Sequence, residues 1–115
     1  MVSSENQPAL EKLCQIIKER QGASPESSYT AKLLMGGTVD IGAKITEEAE
    51  ETVFAALKEG PDALIRESAD LLYHLCVLWV DQEINIADVW SELSSREGVS
   101  GLVEKASRSN KRTEG

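Results

Sequence analysis

Two acidic clusters stand out in this chain: Glu47-Glu48-Ala49-Glu50-Glu51 and Glu67-Ser68-Ala69-Asp70. Carboxylates gathered in this way suit a hard divalent cation, which takes oxygen ligands. Both clusters lie in segments of helical apolar spacing. On a wheel advancing about 100° per residue, Glu51 falls about 40° from Glu47, Lys44 about 60° and Glu48 about 100°, with Glu50 outside that arc. In the second cluster His74 falls about 40° from Asp70, and Glu67 about 60°. Each helix projects a narrow stripe of oxygen ligands, and the pair reads as a metal site.

Helical glutamates alone are most simply a solvated face. The second segment changes that reading, because between Leu64 and Val80 nearly every other direction of its wheel is apolar, as in a buried helix. Unpaired buried carboxylates are costly, so these acids need a cation, a proton or a shared cavity.

The elements that position them follow from caps and breakers. Pro8 marks the start of an amphipathic helix carrying Leu10, Leu13, Cys14 and Ile17 and ending near Gly22. A polar turn, Ala23–Ser28, precedes a short helix, Tyr29–Met35, which Gly36-Gly37 stops. Thr38 caps a third helix running to about Lys58, with Gly60 beyond it, and Pro61 opens a fourth to about Gln82. Asn85 caps a fifth, Ile86 to Glu97, closed by Gly98. The tail beyond Gly101, with Lys105, Arg108, Lys111 and Arg112, reads as solvated, and both termini (about 1–7 and 109–115) are expected to fray.

The short link between the third and fourth helices predicts an antiparallel hairpin. Glu47–Glu51 lies seven to eleven residues before Lys58, and Glu67–Asp70 six to nine after Pro61, so the clusters stand at similar height above the turn. The expected fold is all-α: a bundle of about five helices around that hairpin. The fourth helix has more apolar surface than one chain of this size covers, which predicts completion by a homodimer.

At 115 residues the chain fits a single domain, 1–115. Its net charge of −8 argues against a nucleic-acid or membrane-surface binder, although metal ions could still neutralise an anionic substrate. The longest apolar run, Leu75 to Val80, is too short to span a bilayer, and Met1–Gln7 shows no secretory signal. Cys14 and Cys76, without CxxC spacing, read as reduced core thiols of a cytoplasmic protein.

The pattern EExxE followed by ExxD resembles the all-α, MazG-like nucleoside triphosphate pyrophosphatases. Three stretches narrow the likeness to the phosphoribosyl-ATP pyrophosphohydrolase family: Ser24-Pro25-Glu26-Ser27-Ser28-Tyr29-Thr30-Ala31-Lys32-Leu33, Ala69-Asp70-Leu71-Leu72-Tyr73-His74, and Ser95-Arg96-Glu97-Gly98 through Lys105-Ala106-Ser107-Arg108. That resemblance spans roughly Leu10 to Arg108. It implies Mg²⁺-dependent hydrolysis (Mn²⁺ a possible substitute) of phosphoribosyl-ATP to phosphoribosyl-AMP and pyrophosphate, the second step of histidine biosynthesis. On it Glu47, Glu48, Glu51 and Asp70 are metal ligands, Glu67 is a ligand or the base that orients water, and Tyr29, Thr30 and Lys32 are substrate contacts.

Two residues keep two readings each. Lys44 shares the acidic stripe and reads either as a phosphate contact or as the i,i+4 partner of Glu48. His74 either orients a carboxylate or contacts substrate, or is a hydrogen-bonded core histidine. Trp79 and Trp90 read as core or dimer interface rather than base-stacking platforms. Competing functions are a housekeeping pyrophosphatase of free nucleoside triphosphates and a non-enzymatic helical dimerisation module.

Overall fold

The computed structural model describes residues 6–97, with side chains from residue 9 onward. Among the described residues there are four α-helices and no strand: α1 (Asn6–Glu19), α2 (Tyr29–Phe54), α3 (Pro61–Asp81) and α4 (Ile86–Ser95). The chain forms two compact units. The first ends at Ile84 and holds α1–α3; the second begins at Asn85 and holds α4.

Helix α1 buries Cys14 and Ile17 and packs on α3. It closes in a 3₁₀ turn, Arg20–Gly22, and Lys18 in its last turn complements the negative end of the helix dipole. The polar turn that follows is held by its own serines: Ser24 Oγ donates to the Glu26 carboxylate at 2.6 Å, and Ser27 Oγ donates to the Ser24 carbonyl at 3.2 Å. Ser28, extended at φ −143°, caps α2 by accepting from the Ala31 amide at 3.1 Å.

Helix α2 has one non-helical residue, Gly37, at φ 80°, ψ −174°. Only glycine adopts that conformation at low cost. The bonds to α3 show what the break does. Before it, the Tyr29 hydroxyl meets His74 and Thr30 meets Tyr73; at it, Thr38 meets Asp81; beyond it, Thr52 reaches Glu67. Contacts therefore climb α3 through residues 29–36 and descend it through residues 38–54. Gly37 reverses the chain and splits α2 into two arms.

The expected stop at Gly36-Gly37 takes the form of a one-residue reversal rather than a loop, so the two helices expected on either side of it run together as the two arms of α2. Thr38 does not act as a helix cap. Its hydroxyl donates to Asp81 at 2.6 Å and accepts from Gln82 Nε2 at 2.8 Å, tying the reversal to the end of α3.

The second arm and α3 form the antiparallel hairpin. Its link widens into a π-helical turn, Ala55–Glu59, and Gly60 at φ 106° ends it with its amide donating to the Ala55 carbonyl at 2.9 Å. Pro61, which has no amide to satisfy, then opens α3. The seam repeats in sevens: Ile41 and Glu48 on α2 and Ala55 at the start of the π-helical turn are buried, facing a row of Ala63, Glu67, Asp70, His74 and Val77 on α3. Polar side chains thus occupy the middle of an otherwise apolar seam. A second face of α3 buries Cys76 and Val80. Cys14 and Cys76 are both free and buried, and burial, reinforced by the neighbouring Cys14, pushes the Cys76 thiol up to about 12.

In the second unit Asn85 caps α4 by accepting from the Ala87 amide at 2.9 Å. The helix ends at Ser95, two residues before the expected Glu97. Gly98, the tail cations Lys105, Arg108, Lys111 and Arg112, and residues 1–5 and 109–115 of the expected fraying ends lie outside the described residues, whereas Asn6 and Gln7, also expected to fray, belong to α1. Among the described residues no helix is long and apolar enough to cross a membrane.

Two glycines of α2 should respond oppositely to alanine. Gly37→Ala forces a side chain into a glycine-only conformation and is expected to cost about 1–3 kcal/mol. At Gly42 an added Cβ meets nothing within 4 Å, so Gly42→Ala should stabilise by about 0.5–1 kcal/mol. Urea unfolding of the two variants checks both signs.

Candidate metal centre and its surroundings

The seam brings three carboxylates to one point. Glu48, Glu67 and Asp70 each present a ligand oxygen, all within 4.8 Å of one another. Glu48 is only 7% exposed, Glu67 is half-buried and Asp70 is exposed, so the cluster runs from the core to solvent. Oε2 of Glu48 and Oε2 of Glu67 are buried and meet no hydrogen-bond donor. Buried polar atoms are rarely left in this state, and each unsatisfied one is costly. An oxygen-only donor set with orphaned buried oxygens fits a hard divalent cation such as Mg²⁺ or Mn²⁺.

Burial is the largest cause raising the Glu48 carboxyl above its ordinary range, followed by the charges of Glu51 and Asp70. The Glu67 carboxyl is likewise raised by desolvation first, then by its contacts with Glu51. Glu51 therefore adjoins both. Thr52 holds the two backbones in register beside them, its hydroxyl lying 2.7 Å from the Glu48 carbonyl and 3.3 Å from that of Glu67.

Glu47 stands apart from this trio. It pairs with Lys44 at 3.4 Å, so the cation joins the i,i+3 acid and not Glu48, the i,i+4 partner considered from sequence. Glu47 and Glu51, both exposed, line a cavity of about 590 Å³ with Glu50, Phe54, Glu59 and Glu67. Glu67 belongs to both cavity and trio. Glu50, outside the expected arc, is on the cavity wall, as are Phe54 and Glu59. A 3.6-residue wheel carries no signal for Glu59, since it ends the π-helical turn.

The remaining expected residues divide in two. Tyr29, Lys32 and Lys44 meet with Leu33, Asp40 and Ala43 around a second cavity, about 350 Å³, between the arms of α2. Thr30 is hydrogen-bonded to Tyr73. His74 is 5% exposed, and its Nδ1 lies 2.7 Å from the Asp70 carbonyl. A carbonyl only accepts, so Nδ1 carries the proton and Nε2 accepts from the Tyr29 hydroxyl at 3.1 Å. Tyr29, Tyr73 and His74 pack as an aromatic group, with the His74 ring 5.1 Å from that of Tyr73. The Tyr29 phenol is raised chiefly by burial, against the lowering pull of Lys44.

An all-α hairpin that aims carboxylates from two helices at one point defines a class of carboxylate-bearing helical proteins. Comparison with known proteins narrows it. The family described as Phosphoribosyl-ATP pyrophosphohydrolase matches residues 10–97. A Phosphoribosyl-ATP pyrophosphatase of Paramagnetospirillum magneticum is 54% identical over 102 residues, covering 89% of this chain and 94% of that protein. One from Azospirillum brasilense is 50% identical, covering 86% and 89% respectively. Another, from Trichlorobacter lovleyi, is 54% identical, covering 90% and 95%. This chain belongs to the phosphoribosyl-ATP pyrophosphohydrolase family, which sets aside the non-enzymatic module considered from sequence.

The raised carboxyls give the metal-free protein a definite pH response. Folded Glu48 and Glu67 hold protons that the unfolded chain has released, so their contribution is present at low pH and lost as pH rises through the raised values. The melting temperature of EDTA-treated protein should fall as pH climbs just above the ordinary carboxylate range. Millimolar Mg²⁺ or Mn²⁺ should restore it beyond matched monovalent salt, because a cation binds only the folded cluster. A flat profile with and without the ions would show that the carboxylates do not converge in solution.

Proposed function

We propose that this chain hydrolyses phosphoribosyl-ATP between its α and β phosphates, releasing phosphoribosyl-AMP and pyrophosphate, the second step of histidine biosynthesis. The observation that carries this reading is the trio Glu48, Glu67 and Asp70 with its two orphaned buried oxygens, in a chain of this family.

Glu48, Glu67 and Asp70 hold a divalent cation, Mg²⁺ or in its place Mn²⁺. Bound there, the cation supplies the positive charge that a phosphoanhydride needs as it breaks. Glu48 fixes the buried end of the site, since its side chain is buried in the hairpin seam and its carbonyl accepts from Thr52. Glu51, exposed beside both Glu48 and Glu67, is the carboxylate with room to accept a proton from the attacking water. Glu47 orients Lys44 at the cavity rim. His74, hydrogen-bonded at both ring nitrogens, places Tyr29 rather than touching substrate.

The working form is a cytoplasmic homodimer. Val53, Phe54 and Leu57 on α2 and its π turn, with Ile65 and Leu72 on α3, are between 46% and 73% exposed, an apolar surface suited to a second copy. Sedimentation at micromolar concentration should give twice the chain mass; a monomer overturns this part of the reading.

Pyrophosphate release tests the chemistry. Glu48→Gln and Asp70→Asn preserve size but remove one charge each, and either should lower kcat by about 10²-fold or more. Stability without metal should hold level or rise, as a like-charge repulsion is gone. Glu11→Gln, exposed on α1, serves as the unaffected control. Full activity in both site variants would remove the metal-site reading, and a preference for free dUTP or dCTP would indicate a housekeeping pyrophosphatase instead.

A further inference from the structure

The cavity between the arms of α2 has a chemistry opposite to that of the acidic one. Among the described residues, Lys32 and Lys44 are the only lysines or arginines lining either cavity. On an unbroken helix, twelve residues would separate them by about 18 Å along the axis. The reversal at Gly37 folds Lys32 back until both line one space of about 350 Å³. Lys44 is paired with Glu47 at the rim, whereas Lys32, exposed, is in no ion pair among the described residues.

The same wall holds one acid. Asp40 lies in the first turn after the break with its carboxylate folded over Gly36, at a place that any Cβ on residue 36 would occupy. Leu33 and Ala43 supply apolar wall. The pocket therefore offers two ammonium groups, one carboxylate that accepts from hydroxyls, and an apolar patch. Two cations alone would suit any phosphate; the acid among them repels a bare anion and favours one that also carries hydroxyl donors.

We propose that this pocket binds a ribose 5-phosphate unit: the phosphate on Lys32 and Lys44, the ribose hydroxyls on Asp40. Resting on the reaction given above, this unit is the phosphoribosyl group of the substrate, the part that distinguishes it from ATP. Lys44, ion-paired to Glu47, places this pocket against the acidic cavity where the triphosphate is cleaved. Lys32 is thus a specificity-determining residue for the phosphoribosyl end, not a member of the hydrolytic machinery.

The test compares two ligands in Lys32→Gln. The KM for phosphoribosyl-ATP should rise about 10- to 100-fold with kcat within about threefold, since binding common to ground and transition states is lost. The inhibition constant of ATP, which lacks the second ribose phosphate, should stay within about twofold. Equal weakening of both ligands would assign the pocket to the ribose of ATP itself and overturn the proposal. So would a fall in kcat at unchanged KM, which would move Lys32 to the leaving pyrophosphate. Binding of ribose 5-phosphate alone, followed by NMR shifts of Ala43 and Leu33, is read independently of turnover. It should saturate in the native chain, weaken at least tenfold in Lys32→Gln, and weaken in Asp40→Asn while inorganic phosphate does not. Absence of those shifts overturns the pocket even if hydrolysis proceeds. Their presence without phosphoribosyl-ATP hydrolysis leaves the pocket standing and removes the reaction.

Discussion

Everything in the first unit depends on holding carboxylates against one another in the seam between the second arm of α2 and α3. Two ionised groups 4.8 Å apart repel by roughly 3–4 kcal/mol at an effective dielectric near 20. A single hydrogen bond returns about 1 kcal/mol. No one link can therefore keep the hairpin in register against its own charge. The links are instead spread along the whole seam: Thr38 with Asp81 and Gln82 at one end, Thr52 near the middle, and Gly60 with Pro61 at the turn. Between them lie the apolar positions Ile41, Ala55, Ala63 and Val77, each buried. The apolar ends clamp a polar centre that a proton or a cation must neutralise.

That clamp also explains the gradient of exposure. Glu48 shares a heptad position with Ile41 and Ala55, so its backbone is fixed by the packing of its neighbours, and it is the most buried member of the cluster. One or three residues away, Glu47 and Glu51 turn out of the seam and into the open cavity. A buried carboxylate and an exposed one are thereby set beside each other on one helix.

Much of this is legible in the sequence because glycine and proline act locally. Gly36-Gly37, Gly60, Pro61 and Asn85 mark element ends through φ restrictions or capping that need no tertiary information, and each lies where a boundary or reversal occurs. The two acidic stripes and their common height above the turn are equally local. What a helical wheel lacks is the identity of the facing surface. It groups Glu47, Glu48 and Glu51 in one arc, yet only Glu48 is buried in the seam, while Glu51 meets Glu48 and Glu67 from the exposed side. It gives Lys44 a partner by spacing, Glu48, but Glu48 is buried and Lys44 pairs with exposed Glu47 instead. Thr38 reads as a cap because its type suits one; the nearby end of α3 offers its hydroxyl Asp81 and Gln82 instead. Thr30 reads as a substrate contact and His74 keeps two readings until the first arm of α2 lies on α3, where Thr30 bonds Tyr73 and Tyr29 bonds His74. The heptad spacing of Ile41, Glu48 and Ala55 was nonetheless a readable sign that one glutamate of the five-residue cluster belongs to the core.

The reversal at Gly37 joins these threads. An acidic molecule of net charge −8 repels the polyanion it must bind, and a carboxylate cluster filled by one divalent cation does not offset that for the whole substrate. Positive charge has to be placed locally. A straight α2 could not do so, since Lys32 and Lys44 would lie on different faces, separated by more than three turns. One residue at φ 80° brings them to the same wall and at the same time sends the first arm back along α3, where Tyr29 and His74 lock it. The conformation that glycine alone supplies thus couples the basic pocket to the acidic seam. A substrate carrying phosphates at two ends is matched by a chain that is cationic on one side of a single bent helix and lined by carboxylates on the other.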